Sequence, residues 1–153
     1  MAPAAVRRGS GCGAIPSTEL DTLPLGKSEI RRQGKDVALL AFGPLLGAAL
    51  AAGEALDATV VNMRYVKPID AAMILELAGN HSLLVSIEEN AVIGGAGSEV
   101  ERVLAEQGIN LPVLRLGLPD RFIDHGEQGQ LLAELGLDKD GIVQAVTARL
   151  NRQ

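Results

Sequence analysis

The sequence is almost without aromatic side chains: no Trp, one Tyr (Tyr65) and two Phe (Phe42, Phe122) among 153 residues. Its hydrophobic fraction is nevertheless 47%. Any core must therefore be built from Ala, Val, Leu and Ile, packed between layers of secondary structure. Recognition of nucleic acid by base stacking on aromatic platforms is excluded. The net charge of −5 also argues against a face that tracks a phosphate backbone. Cys12 is the only cysteine, so neither an intramolecular disulfide nor a cysteine zinc site can form. No apolar run approaches the ~20 residues of a membrane span, and residues 1–13 lack the apolar centre of a signal peptide. The expectation is a soluble, cytoplasmic, single-domain chain that binds neither nucleic acid nor membrane.

Residues 1–26 carry Arg7-Arg8, then Gly9, Gly11 and Gly13, then Pro16 and Pro24, without helical period. They read as an extended arm, with a short strand at 4–7, leading into a domain over 27–153. Residues 27–32 alternate weakly, and 37–42 form a continuous apolar run of strand length. Gln33-Gly34 between them reads as a turn, which predicts a hairpin with 27–32 at the sheet edge. Helical and strand segments then alternate: helix 45–56 opened by Pro44, strand 59–63, helix 71–78, strand 82–87, a helix from Ser98, strand 113–116, and helices 130–135 and 141–150. Asp70 is placed as an N-cap, with Ile69 and Ile74 as a hydrophobic staple. Ser98 and Glu101 have capping-box spacing. This alternation predicts βαβ units: a three-layer α/β/α sandwich on a mostly parallel five-stranded sheet with one antiparallel edge strand.

Glu88-Glu89-Asn90-Ala91-Val92-Ile93-Gly94-Gly95-Ala96-Gly97-Ser98 follows a strand and opens a helix, where α/β sheets usually bind ligands. The glycine spacing fits neither a dinucleotide fingerprint nor a P-loop, because Val100 holds the third glycine position and no Gly-Lys-Ser/Thr occurs. Two carboxylates beside it would repel phosphate. The alternative is a tight turn set against a neighbouring subunit through Gly94, Gly95, Gly97 and Ser98. Glu88 and Glu89, adjacent at a strand end, point to opposite sides and make a poor acid/base pair. One reads as structural and the other as solvated. His81 reads as a solvated loop residue. His125, near Asp120 and Arg121, reads as a structural or interface residue, since no cysteine or second nearby histidine supports a metal site and no Ser or Cys can be matched to it as a nucleophile. Arg7-Arg8-Gly9 could grip a phosphate as an arginine fork or could be a solvated basic arm.

Several segments resemble the 1-deoxy-D-xylulose 5-phosphate synthase family. Met63-Arg64-Tyr65-Val66-Lys67-Pro68-Ile69-Asp70 is similar to the family's R-F-V-K-P-L-D segment. Val85-Ser86-Ile87-Glu88-Glu89-Asn90 running into Gly94-Gly95-Ala96-Gly97-Ser98 is a second likeness. Gly117-Leu118-Pro119-Asp120-Arg121-Phe122-Ile123 before His125-Gly126 is a third, with Leu23-Pro24-Leu25-Gly26-Lys27 and Leu40-Ala41-Phe42-Gly43 in register.

The resemblance implies a transketolase C-terminal-type domain. The family enzyme joins pyruvate to glyceraldehyde 3-phosphate with loss of carbon dioxide, using thiamine diphosphate and magnesium, on the non-mevalonate route to isoprenoids. It further implies that the cofactor and metal ligands and the catalytic residues lie upstream of this chain, in a cofactor-binding and a pyrimidine-binding domain. The chain would then bind no cofactor or metal alone, would be inactive alone, and would serve structure and contacts in a homodimer through Gly94, Gly95, Gly97, Ser98 and His125. By position Arg8 matches the family's phosphate-holding arginine. The family's V-R-Y-P-R-G is Val6-Arg7-Arg8-Gly9 here, and loss of the Tyr-Pro pair alters the reach of that side chain. Two other readings share the architecture: the C-terminal domain of a 2-oxoacid dehydrogenase beta subunit, and a stand-alone dimerisation or regulatory module.

Overall fold

The computed structural model describes residues 23–122 and 126–152. The strand over 4–7, Arg8, Cys12 and His125 lie outside the described residues.

Five strands form one sheet in the order β1-β3-β2-β4-β5. Strand β2 (Val37–Phe42) is central and buried along its whole length. A strand flanked by strands and covered on both faces has to be apolar at every position, as this one is. Strands β3 (Thr59–Asn62), β4 (Leu83–Ala91) and β5 (Val113–Leu118) run parallel to it. Strand β1 (Glu29–Arg32) is the antiparallel edge strand.

The predicted hairpin does not form. β1 pairs with β3, with Glu29 opposite Asn62, and β2 lies one strand further in. The linking residues 33–36 pass under the start of β3, where Lys35 N–H donates to Asp57 O (2.7 Å) and Gly34 N–H donates to Thr59 Oγ1 (3.0 Å). A Cβ at Gly34 would overlap the Ala58 carbonyl. Glycine is what lets the link cross in contact with another backbone.

Successive β residues point to opposite faces. Val37, Leu39, Ala41, Val85 and Ile87 face α1 (Leu46–Leu56) and α5 (Lys139–Leu150), while Ala38, Leu40, Val61 and Leu84 face α2 (Ala71–Asn80) and α3 (Ala96–Glu106). A shorter helix, α4 (Gln128–Glu134), precedes α5. The result is the expected α/β/α sandwich with an aliphatic core, to which Phe42 contributes a ring.

Small residues set the sheet-to-helix distance. Ala49, Ala52 and Gly53 form the buried stripe of α1, and a Cβ on Gly53 would overlap Val60 Cγ2. Pro44 lies in a short 3-10 turn before α1, where its missing N–H costs nothing.

Asp70 caps α2, its Oδ1 accepting from Met73 N–H (3.3 Å), and Ile69 and Ile74 join the same apolar cluster. Helix α2 continues to Asn80, two residues beyond the predicted end. No described helix is long and apolar enough to cross a membrane.

Candidate functional site

The chain leaves β2 towards β3 on one side and returns to β4 on the other, so the connections after β2 and β4 diverge to opposite faces. In an open α/β sheet this switch point, at the carboxyl ends of the strands, is where ligands usually sit. The connection after β3 reaches the same edge. So does the segment entering β1, because β1 runs antiparallel. Predicted site residues Gly94, Gly95, Gly97 and Ser98 lie here, between β4 and α3.

Glu88 organises this turn. Its side chain is 3% exposed although it sits close to the end of a strand. Oε2 accepts from Ala96 N–H (2.7 Å) and Oε1 accepts from Gly97 N–H (2.9 Å). The first-turn amides of α3, an anion site in many α/β proteins, are thus filled by the chain's own carboxylate. Helix α3 begins at Ala96 rather than Ser98, and Gly95 at its N-cap offers no side chain. The expected capping box is replaced by a cap from eight residues upstream. Ser98 Oγ instead accepts from Arg115 Nη1 (3.2 Å), and Arg115 also pairs with Glu101 (3.3 Å).

The glycines explain how a carboxylate fits there. A Cβ on Gly95 would overlap the Glu88 carboxylate, and one on Gly97 would overlap Ser86 Oγ. Gly117 on β5 leaves room for Glu88 Cγ, 3.1 Å from where its Cβ would lie. Gly94 has φ +72 and nothing within 4 Å of a Cβ. Its requirement is conformational, while that of Gly95 and Gly97 is space within this chain.

Glu89 points away from Glu88 and accepts from Gln128 Nε2 (2.8 Å), tying β4 to the start of α4. The two adjacent carboxylates therefore divide, Glu88 buried and structural, Glu89 half-buried and tied to α4 rather than simply solvated. Alternation along β4 puts Ser86 and Glu88 on the face that α3 covers, and this was the signal in the sequence that could have named Glu88 as the cap. Ser86 Oγ, buried against Gly97, has no hydrogen-bond partner.

The neighbouring loop, residues 63–70, is held by charge. Arg64, in the left-handed region at φ +58, pairs with Glu29 of β1. Asp70 Oδ2 accepts from Ser28 N–H (2.9 Å) and Ser28 Oγ–H (3.0 Å), and Lys27 Nζ lies 3.7 Å from Oδ1. Burial pushes the Asp70 carboxyl up, but the hydrogen bonds from Ser28 and Met73 and the charge of Lys27 outweigh it and leave it below the usual carboxylate range. Glu99 is likewise held low, by its hydrogen bond from Arg102 against a smaller effect of burial, with Lys67 across the gap adding to it.

At the opposite, amino edge His81 is not a solvated loop residue. Its Nδ1 faces Leu77 O (2.9 Å) and must carry the proton there, because a carbonyl only accepts. Its Nε2 meets Thr59 Oγ1 (2.8 Å), the hydroxyl that accepts from Gly34 N–H. The ring thus joins α2, β3 and the β1–β2 link beside a pocket of ≈ 260 Å³. The sequence hid this because the three partners are far apart in the chain. Among the described residues no group of three or more His, Cys, Asp or Glu is placed to hold a metal ion.

Comparison with known proteins gives this architecture relatives. Residues 26–142 match the family model described as transketolase, C-terminal domain. The 1-deoxy-D-xylulose-5-phosphate synthase of Dechloromonas aromatica (strain RCB) is 76% identical over 99% of this chain and 25% of that protein. The synthase of Azoarcus sp. (strain BH72) is 62% identical over 95% of this chain and 24% of that protein. The chain thus spans about a quarter of the length of these curated relatives. A solved structure described as a split gene transketolase, inactive beta4 tetramer, superposes with a TM-score of 0.79 at 36% identity, over 92% of this chain and 46% of that one.

Proposed function

The chain belongs to the transketolase C-terminal domain family, and from that premise we propose that it acts as the C-terminal domain of a 1-deoxy-D-xylulose 5-phosphate synthase. The supporting observation is the 76% identity to one such synthase along 99% of this chain. The reaction proposed for the whole enzyme joins the two-carbon unit of pyruvate to glyceraldehyde 3-phosphate and releases carbon dioxide. Thiamine diphosphate, where bound, supplies the electron sink for that chemistry.

Two observations support placing that cofactor outside the described residues. The amides at the N-terminus of α3, at the switch point, are filled by Glu88, and among the described residues no group of three or more His, Cys, Asp or Glu is placed to hold a metal ion. In this reading the cofactor belongs to the part of the synthase beyond this chain, and the domain contributes packing and position. Arg8 is assigned to the substrate phosphate. Gly94, Gly95, Gly97, Ser98 and His125 are assigned to the neighbourhood of a subunit contact in a homodimer. Gly94 has the open flank such a contact needs, while Gly95 and Gly97 keep the turn in shape. The structural neighbour described as an inactive beta4 tetramer of a split gene transketolase favours the further reading that this domain is inactive alone.

The test is complementation. The purified 153-residue chain is expected to show no turnover of pyruvate and glyceraldehyde 3-phosphate. Turnover is expected when it is mixed with the D. aromatica synthase portion that this chain does not match. Turnover by the chain alone would overturn the reading.

A further inference from the structure

Five large apolar side chains are exposed among the described residues: Leu23, Leu25, Val66, Ile93 and Phe122. All five lie at the carboxyl edge of the sheet. Leu23 and Leu25 are on the segment entering β1, Val66 follows β3, Ile93 follows β4 and Phe122 follows β5. The amino-edge links and the outer helix faces have no counterpart among the described residues. A protein with three aromatic residues holds one of them, Phe122, fully in solvent. Scattered single exposures need no explanation, but convergence on one edge marks an interaction surface.

Three of these side chains, Ile93, Val66 and Leu25, are also carried on segments tied down by neighbouring contacts. Ile93 stands beside the turn that Glu88 closes. Val66 lies between Arg64, paired with Glu29, and Pro68, against which Gly26 packs. Leu25 precedes the Ser28–Asp70 hydrogen bonds. Less loop freedom is then lost on binding than a flexible rim would lose.

We propose that this apolar rim is the docking surface for the remaining part of the synthase, the portion that its curated relatives carry and this chain does not. The inference rests on the synthase reading above. Two observations choose the occupant. The chain spans only about a quarter of those relatives, so a large partner within one polypeptide exists for them. The segment leading into β1 arrives at this same edge, so sequence attached there is held at high effective concentration over the rim. A second copy of this chain has no such advantage.

The experiment measures binding of the full 153-residue chain to that unmatched portion of the D. aromatica synthase by titration calorimetry, with turnover followed in the same mixtures. The double variant Ile93→Asp/Phe122→Asp is expected to bind at least ~10-fold more weakly than wild type. Asn110→Asp at the amino edge is expected to bind like wild type. Both changes are at exposed positions, and circular dichroism checks that the fold is kept. Undiminished binding by the double variant overturns the surface. So does a wild-type self-dimer that the double variant abolishes, since the occupant would then be a second copy. Binding that depends on the rim without turnover keeps the surface and rejects the synthase reading. Absence of binding overturns the surface, and turnover by a covalent fusion of the two parts then decides the synthase reading separately.

Discussion

At the scale of single residues the turn between β4 and α3 is a packing problem solved with two glycines and a carboxylate. Glu88→Ala removes an acceptor from two buried amides, and the expected cost is about 2–3 kcal/mol in urea unfolding. Ser86 behaves in the opposite sense. Its buried hydroxyl has no partner, so Ser86→Ala should be neutral or stabilising by up to about 1 kcal/mol. Gly97→Ala alone should be strongly destabilising, and combined with Ser86→Ala its cost should fall. A double-mutant cycle that shows strict additivity would contradict the contact. Asp70 carries the acid sensitivity of the entry segment. Its folded carboxyl lies below the usual value, so the stabilisation is present above about pH 4 and fades as pH falls through the depressed folded value. Asp70→Ala should therefore cost about 1–2 kcal/mol at neutral pH, and the gap from wild type should narrow in acid. Little of this was open to reading from sequence. Asp70 was, because a cap acts within one turn. Glu88 was half-visible, as the member of a carboxylate pair expected to be structural, but its partners depend on how α3 settles over β4.

Among the elements, those whose signal is local were legible. The apolar run of β2 and the β-branched β3 came out at or within one residue of their bounds. Helix α3 started two residues early because its cap comes from another element, which no local motif encodes. The hairpin expectation failed for a related reason. A turn signal says that the chain reverses, not which strand it reverses against. The chain leaving β1 can cross β3 to reach β2 because the link can press Gly34 onto the Ala58 backbone. Gly34→Ala should thus be among the costliest single changes in the protein, above about 3 kcal/mol, since the clash is with backbone and cannot be relieved by a rotamer. A wild-type-like unfolding midpoint for that variant would refute the crossing geometry.

For the whole molecule, the scarcity of aromatic residues has a structural counterpart. Aliphatic layers and small residues bring helices close to the sheet, and the ring of Phe122 is left to the surface. Fold class was readable because alternation of strands and helices is a global pattern carried by many residues at once. The sequence alone could not show that the apolar exposures gather on one edge, since Leu25 and Phe122 meet only through topology. The Glu88 cap has one more consequence. In proteins that bind phosphate at this place, occupancy of the helix end rises and falls with ligand concentration, and so does stability. Here the anion is tethered to the chain and the helix end is always occupied. Removing the tether should convert a fixed part into an exchangeable one. Glu88→Ala should regain melting temperature as acetate is added, where wild type gains nothing comparable.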